Sequence, residues 1–323
     1  MDGKRNTIRL AAALAALLAL PFFRPGETRA ESWPVKPIAI LVGYAVGGGV
    51  DQMARAIGTS LSKSLGQTVI IQNKPGAAGG VAAMTAKSAP ADGYTLVVTV
   101  SHTYTAQPVT GNTQYSSADF RHIAATAQFQ DAFISQSNRP WKDFKGMIAY
   151  AKKSGADLKF ASLSDVDRLF ARRIAKREGV KLTPVPVQGG AAVMPAVLGG
   201  HVDFGFSGGA LHNPHVQAGS MIVLAGLGDR RLEASPAVPT LEELGYDLAM
   251  PTYLVFSAPK GVPQDVLRRL EEGIRAAAKE PGYIELVKTK LSMVPLFLGT
   301  AETERKLAEI GKAYRELYDE VGK

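Results

Sequence analysis

The chain has 323 residues, no cysteine and a formal net charge of +8. Without cysteine it has no disulfide, no thiolate metal ligand and no N-terminal thiol for a lipid anchor. Lysines and arginines are scattered among carboxylates and do not cluster with aromatic residues, which argues against nucleic acid and favours a small acidic ligand. Histidine is sparse and no nucleotide-binding glycine motif occurs, so we predict neither a cofactor nor a metal.

The first 30 residues have the pattern of a secretory signal peptide. Three cations precede the apolar run 10–20, and the segment ends in the small-residue cleavage pattern of residues 28–30. The apolar run is too short to cross a membrane, and no later stretch reaches the roughly 18 apolar residues that a membrane helix needs. We therefore predict a periplasmic protein with a cleavable signal that is not a lipoprotein. Cleavage removes five cations and two anions, so the formal charge falls from +8 to +5.

The stretch 38–65 organises the rest of the chain. Residues 38–42 form an apolar run of strand length, whereas apolar residues recur every four positions over 53–65, as on one buried helix face. The three glycines 47–49 lie between them, and such a turn presents backbone N–H groups at the positive end of a helix dipole. This predicts an anion site, with a simple tight turn as the alternative. We expect Asp51 to cap the helix through its carboxylate.

The next elements continue an alternation of strand and helix. Gly66 ends the first helix, a β-branched strand follows at 68–71, a small-residue helix reaches Ala89, and a third strand covers 94–100. This βαβαβ pattern predicts a parallel sheet with right-handed crossovers. Ligands of such sheets bind beyond the carboxyl ends of the strands. We therefore expect three loops to meet there, namely residues 43–51, 73–80 and 101–103.

The second half of the chain predicts further helices. Residues 142–154 predict a short helix, and a strand at 158–161 leads through a polar capping stretch into a helix at 169–178. Two amphipathic helices follow, one over 267–278 and one that begins near Thr300. The apolar stripes of these last two helices indicate packing against a core.

One short motif resembles a hydrolase signature but fails on chain order. Residues 205–209 match G-x-S-x-G, in which Ser207 would be the nucleophile. The later histidines are His212 and His215, and no carboxylate lies between the serine and either of them, so the catalytic interpretation is disfavoured. Pro214 separates these histidines and argues against a continuous helix, which predicts a surface loop and not a metal pair.

Six segments resemble one protein family in order, spacing and wording. The segments VKPIAILVGYAVGGGVDQMAR, LGQTVIIQNKPGAAGG and ADGYTLVVTVSHT are similar to Bug-type substrate-binding proteins of tripartite tricarboxylate transport systems. The similarity continues through VLGGHVDFGF, SPAVPTLEELGY and FSAPKGVPQDVLRRL, so it covers nearly the whole mature chain. The resemblance implies a type II periplasmic binding protein, an α/β fold in which two doubly wound lobes joined by a hinge clamp a small carboxylate.

The resemblance also implies boundaries and partners. Lobe 1 would comprise residues 31–130 and 255–323, lobe 2 would comprise 131–254, and the chain would cross between them near 128–134 and 250–256. The protein would be a monomer without catalytic activity that delivers a small organic acid to the permease subunits of a tripartite tricarboxylate-type transporter. Two alternatives stay open: a ligand-sensing receptor for a membrane signalling partner, and an exported α/β hydrolase.

The resemblance implies that the ligand carboxylate meets backbone groups of the first and third loops, but the lobe 2 residues depart from the family. Asp167 and Arg168 replace a serine-histidine pair, and Ser207 replaces an aspartate, which favours a plain acid over an amino acid. Arg168 either binds a ligand carboxylate or pairs with a neighbouring acid, Asp165 or Asp167. The candidate ligand-binding residues are Tyr44, Ala45, Val46, Gly47, Gly48, Gly49, Asp51, Gly76, Ala77, Ser101, His102, Thr103, Ser164, Arg168, Gly189 and Ser207.

Overall fold

The computed structural model describes residues 33–111, 113–187, 190–249 and 251–322. The predicted signal peptide, residues 1–30, lies outside these ranges. Lys36–Lys323 form one compact unit. In the ranges that the structure describes, no helix is both long and apolar enough to cross a bilayer.

The described residues form a mixed α/β structure. The strands are β1 Ile38–Val42, β2 Val69–Asn73, β3 Thr95–Val100, β4 Phe120–Gln128, β5 Asp131–Gln136, β6 Asp157–Ser162, β7 Lys181–Pro186, β8 Phe204–Gly208, β9 Met221–Gly226, β10 Tyr253–Pro259 and β11 Val294–Leu298. The helices are α1 Gly49–Leu65, α2 Gly80–Lys87, α3 His102–Thr105, α4 Gln107–Thr110, α5 Phe144–Ser154, α6 Asp165–Glu178, α7 Val193–Leu198, α8 Gly209–Gln217, α9 Gln264–Ala278, α10 Pro281–Glu285 and α11 Thr300–Val321. Short 3₁₀ turns cover Ala77–Gly79, Ser117–Asp119 and Gly190–Ala192, and a π turn covers Leu286–Lys290.

The first sheet has the strand order β11-β4-β10-β3-β1-β2. Strand β1 is parallel to both β2 and β3, with Ile40 opposite Ile71 on one side and Leu96 on the other. The parallel βαβαβ unit predicted from the sequence is therefore confirmed. Central parallel strands are covered on both faces, which explains why β1 reads as an unbroken apolar run. In the other half of this sheet, strand β10 lies between β4 and β3 and runs antiparallel to both.

The second sheet has the order β7-β6-β8-β5-β9. Strand β6 is parallel to β7 and β8, whereas β5 runs antiparallel to β8 and β9. The chain leaves the first sheet after Gln128, enters the second at Asp131, and is back in the first sheet at Tyr253. Two sheets joined by two chain crossings confirm the predicted fold class.

The helices bury the apolar stripes that the sequence predicts. Met53, Ile57 and Leu61 of α1 have no exposed surface, and Gly66 ends this helix in the left-handed conformation with φ +68°. In that conformation, N–H groups after the helix can bond to its last carbonyls. Glycine is favoured there because glycine has no Cβ. The predicted stripes of α9 and α11 are likewise buried, and α11 begins at Thr300, as predicted.

The C-terminal helix links the two sheets. Helix α11 packs on β4 of the first sheet and on α6, which follows β6 of the second. Near its end, Arg172 of α6 donates to the carbonyl of Gly322 at 3.0 Å, and Arg173 pairs with Glu320 at 3.2 Å. One hydrophobic cluster accordingly includes Val97 of the first sheet and Phe133 of the second.

The prediction of a surface loop around Pro214 is wrong. Gly209–Gln217 form helix α8 with Pro214 inside it, and His212 is buried. The N–H that proline lacks would bond only to the carbonyl of Ala210, four residues earlier. Because this carbonyl belongs to the first turn of a short helix, a single missing bond leaves the helix intact.

Gly79 lies where the turn Ala77–Gly79 approaches β3. Its φ is +91°, and a Cβ at this position would lie 2.1 Å from Oγ1 of Thr99 and 2.8 Å from Oγ1 of Thr103. Both the backbone conformation and the close approach therefore require glycine. This approach holds the second predicted loop against the first sheet.

We expect Gly79→Ala to lower the free energy of unfolding by about 3 kcal/mol, because left-handed backbone disfavours alanine and the added methyl overpacks the site. The matched control is Gly219→Ala, whose φ is +73° but whose Cβ would meet nothing within 4 Å. The control should lose only about 1 kcal/mol. Urea denaturation measures both, and equal losses would show that the contact with Thr99 is unimportant.

Candidate functional site

The three predicted loops meet at the carboxyl ends of β1, β2 and β3. The side chain of Asn73, at the end of β2, donates to the carbonyl of Tyr44 in the first loop at 3.0 Å. A Cβ on Gly43 would lie only 2.8 Å from Cα of Gly79, so the backbones of the first two loops are in contact. The predicted convergence of these loops is confirmed.

The carbonyl of Ala78 ties the third loop to the second. The hydroxyl of Thr103 donates to this carbonyl at 2.8 Å. The hydroxyls of Thr99 and Thr103 lie 2.7 Å apart, and since Thr103 already donates to Ala78, Thr99 is the donor in this pair. The hydroxyl of Tyr44 approaches the same carbonyl at 3.4 Å. Burial raises the pKa of Tyr44, so its phenol stays neutral.

The triple-glycine turn differs from the expected row of unpaired amides. Gly47 adopts φ +81°, and its N–H donates to Oδ2 of Asp51 at 2.9 Å. The N–H of Gly48 donates to the carbonyl of Ala45 at 3.3 Å. The prediction that these amides await a ligand is therefore wrong for Gly47 and Gly48, which form a tight turn. The first helical bond of α1 joins the N–H of Gln52 to Gly48, so the amides of residues 49–51 precede it.

Asp51 organises this turn and does not cap the helix. The helix begins at Gly49 after Gly48, which provides no side-chain cap, and Asp51 lies inside the first turn with 1% of its surface exposed. Its carboxylate accepts from the amide of Gly47, from Arg55 at 3.0 Å and from Asn73 at 2.8 Å. Burial alone would raise the pKa of Asp51, but these donors outweigh it and the pKa is lowered. Asp51 is therefore not the predicted helix cap or ligand contact. It is a buried residue that holds the turn in place.

Most polar groups of residues 101–103 form hydrogen bonds within the protein. Ser101 is fully buried, and its amide and hydroxyl bond to the carbonyl and amide of Tyr253. Nε2 of His102 lies 3.1 Å from Oγ1 of Thr252. Burial lowers the pKa of His102 to about 4, so its ring is neutral at pH 7.

The loop after β6 is closed by a capping box. Ser164 is the N-cap of α6, and Asp167 accepts from the amide of Leu163 at 2.6 Å and from the amide of Ser164 at 3.2 Å. Burial raises the pKa of Asp167 to about 6 despite these donors. Arg168 pairs with Asp165 and donates to Oγ of Ser162 at 3.1 Å. Of the two interpretations of Arg168, the structure therefore supports pairing with a neighbouring acid, Asp165.

The remaining predicted positions differ in accessibility. Residues 45–48 are exposed, and Val46 has 71% of its surface in contact with solvent. Gly76 and Ala77 lie in the second loop with positive φ angles of 127° and 45°. Gly189 lies outside the described residues.

Ser207 is fully buried in β8 and donates to the carbonyl of its neighbour Gly208 at 3.2 Å. A nucleophile must be reachable by its substrate and bonded to a base. The environment of Ser207 therefore opposes the G-x-S-x-G interpretation and also removes this side chain from an open ligand surface.

One acidic side chain in this region is absent from the predicted site residues. Asp131, the first residue of β5, accepts from Oγ1 of Thr252 at 2.7 Å, and Thr252 in turn contacts His102. Burial raises the pKa of Asp131 to about 6. The only sequence signal was an aspartate immediately before the apolar run of a strand, at a predicted chain crossing.

Three cavities lie elsewhere on the surface, and one of about 310 Å³ beside Glu271 and Thr300 is lined only by residues of α9 and α11. Of the other two, a groove of about 650 Å³ borders His122, Ala308 and Arg315, and a cavity of about 260 Å³ borders Gln130 and Ala234. Neither cavity is lined by a residue of the three predicted loops. Both therefore serve below as alternative sites that an experiment must exclude.

Two α/β sheets joined by two crossings, with loops gathered at the strand ends, define a two-lobed solute-binding fold. Residues 53–322 match the model of the tripartite tricarboxylate transporter family receptor. The chain belongs to this family of receptors, as the resemblance of its sequence segments implies.

Known proteins resemble this chain over most of its length, in sequence or in fold. A UPF0065 protein in the gbd 5′ region of Cupriavidus necator is 30% identical over 322 residues, which cover 99% of this chain and 98% of that protein. A TctC solute-binding protein from Polaromonas has a TM-score of 0.76 at 24% identity, with 90% of this chain and 100% of the other covered. MatC from Rhodopseudomonas palustris, solved with bound malate, has a TM-score of 0.70 at 24% identity, with 88% and 99% covered.

We expect Asp51→Asn to lower the free energy of unfolding at pH 7 by about 2 kcal/mol, because an amide cannot replace a carboxylate that accepts from three donors. The folded pKa of Asp51 is lowered, so its contribution is complete above the unfolded pKa of about 3.9 and is lost as pH falls through the folded pKa. The deficit of the variant should therefore shrink on acidification below about pH 4.

The control for this prediction is Asp247→Asn. The side chain of Asp247 is 88% exposed, and its ion pair with Arg173 is long, at 3.5 Å. Urea denaturation of both variants across pH 3–7 gives the comparison. A deficit of Asp51→Asn that is no larger than that of the control, or one that grows in acid, would contradict the anchoring role.

Proposed function

We propose that this protein captures a small carboxylate between two lobes in the periplasm and delivers it to the permease of a tripartite tricarboxylate-type transporter. The lobes comprise residues 31–130 with 255–323, and residues 131–254. One observation carries the proposal: three loops of a chain from this receptor family converge at the carboxyl ends of parallel strands. Malate in MatC, a protein of the same fold, makes dicarboxylic acids the first candidates to test.

The ligand carboxylate binds at the N-terminus of α1. The amides of residues 49–51 precede the first helical bond, and residues 45–48 beside them are exposed. A helix N-terminus attracts a negative charge through these N–H groups and through the helix dipole. Asp51, held by Arg55 and Asn73, fixes the turn without presenting its own charge to the ligand.

Binding is coupled to the closure of the lobes. The ligand gains contacts to both lobes only in the closed form, so it shifts the equilibrium by its difference in affinity for the two forms. The pair of chain crossings provides the hinge. The contacts of α11 with α6 join the same lobes at another place, so closure is a movement of small amplitude around them.

The protein acts without catalysis. Ser207 of the hydrolase-like motif is fully buried and bonded to a backbone carbonyl. Burial lowers the pKa of His122 and of His212 to about 4. His122 lies 2.8 Å from Oγ of Ser117 and 2.9 Å from Oγ of Ser257, but its lowered pKa makes it a weak base, and neither histidine bonds to the hydroxyl of Ser207.

The proposal is tested by three alanine-to-tryptophan variants that each fill one candidate site. Ala45 is exposed in the first loop, Ala234 borders the smaller cavity and Ala308 borders the larger groove. We expect mass spectrometry of the purified mature protein to detect a released small acid and calorimetry to confirm its binding. Ala45→Trp should abolish this binding because the indole occupies the space beside the helix N-terminus.

The variants Ala234→Trp and Ala308→Trp should bind the acid as the parent protein does, with thermal melts that show each variant to be folded. Loss of binding in either of these, with retention in Ala45→Trp, would place the site in another cavity. A mature protein that releases no acid and binds none of a broad panel of carboxylates would contradict the proposed function.

A further inference from the structure

The proposed binding region contains a carboxylate without a cationic partner. Asp131 is half-buried at the start of β5, where the chain enters the second sheet. Its Oδ2 accepts one hydrogen bond, from Oγ1 of Thr252 at 2.7 Å. In the described parts of the chain, no lysine or arginine forms an ion pair with it. The other carboxylate oxygen, Oδ1, accepts no hydrogen bond from the described residues and Asp131 is only half-buried, so Oδ1 is available to a donor from outside.

The position of Asp131 is that of a group between the lobes. On one side it reaches the third loop through Thr252, whose hydroxyl lies 3.1 Å from Nε2 of His102. On the other side Asp131 pairs with Gly208 at the end of β8, and a Cβ on Gly208 would lie 3.6 Å from Oδ1. The second carboxylate oxygen therefore faces the strand end at which the ligand would meet lobe 2.

The histidine and the tyrosines near Asp131 are neutral at pH 7. Burial lowers the pKa of His102 to about 4, and it raises the pKa values of Tyr44 and Tyr314, both of which feel the charge of Asp131. Asp167 acts on the same Tyr314 from α6, and burial raises its pKa to about 6. Among the described residues, no lysine or arginine is paired with Asp131 and could compete with a donor that a ligand brings to Oδ1.

We propose that Asp131 accepts a hydrogen bond from the ligand, so that the receptor selects acids that carry a hydroxyl or ammonium group over plain acids. This inference rests on the proposed function. The sequence favours a plain acid because Ser207 stands where the family has an aspartate. In the structure, Ala132 is paired with Ser207, so Asp131 supplies a carboxylate one residue away on the adjacent strand.

Calorimetry with matched acids tests the inference. Three series are used, each with hydrogen, hydroxyl or ammonium on the same carbon: succinate, malate and aspartate; propionate, lactate and alanine; 3-phenylpropionate, phenyllactate and phenylalanine. In a series that binds, a donor-bearing acid should bind at least about tenfold more tightly than the unsubstituted one at pH 7.5. The preference should diminish towards pH 5 as Asp131 is protonated.

Two variants assign the preference to this side chain. Asp131→Ala removes the acceptor and should reduce the ratio between donor-bearing and plain acids to near one, whereas Asp131→Asn should lose chiefly the ammonium preference. The control Asp229→Ala lies beside the same crossing, where its carboxylate accepts from Gln128 at 2.8 Å, and should leave the ratio unchanged. Thermal melts establish folding, and the pH dependence of the parent protein decides the matter if neither Asp131 variant folds.

The inference is overturned if the plain acid binds as tightly as its substituted partners, if Asp131→Ala keeps the ratio, or if the preference in the parent protein does not weaken towards pH 5. These results would leave carboxylate capture intact. Failure of all nine acids to bind would instead contradict the proposed function, and the inference with it.

Discussion

The candidate site depends on the buried carboxylate of Asp51. It accepts from the amide of Gly47 and the side chain of Asn73, and so joins the loop after β1 to the end of β2. Thr103 completes the arrangement by donating to Ala78. A strand is held in place by its backbone hydrogen bonds to neighbouring strands. A loop keeps a defined position only when its polar groups find hydrogen-bond partners. Through these bonds, three loops distant in sequence provide a rigid edge beside the first turn of α1.

The candidate site also depends on the connections between the two sheets. The chain crosses at Gln128 to Asp131, and α11 contacts α6 through Arg172 and Arg173. Asp131 lies at this junction with a single hydrogen bond, which is an unfavourable state for a half-buried carboxylate. Its Oδ1 accepts no hydrogen bond from the described residues and is therefore available to a donor that a ligand carries. A ligand that completes its hydrogen bonds would stabilise the arrangement in which both lobes contact it.

The sequence predicts the scaffold better than the site, and the reason is physical. The apolar run of β1, the four-residue spacing of α1 and the left-handed Gly66 are local patterns that determine local structure. The role of Asp51 is not local, because its partner Asn73 comes from another strand and the helix begins two residues before it. Asp131 is still less visible, since it lies between lobes only because β5 inserts antiparallel between β8 and β9. The helix around Pro214 shows that one missing bond does not outweigh tertiary packing.

The most direct test of this account is a crystal structure of the mature protein with the acid that it binds most tightly. We expect ligand density between the loop 45–48 and the end of β8, with one carboxylate at the amides of residues 49–51 and a donor within hydrogen-bond distance of Asp131. Density in the groove beside His122 or in the cavity beside Gln130, with residues 45–48 open to solvent, would contradict it.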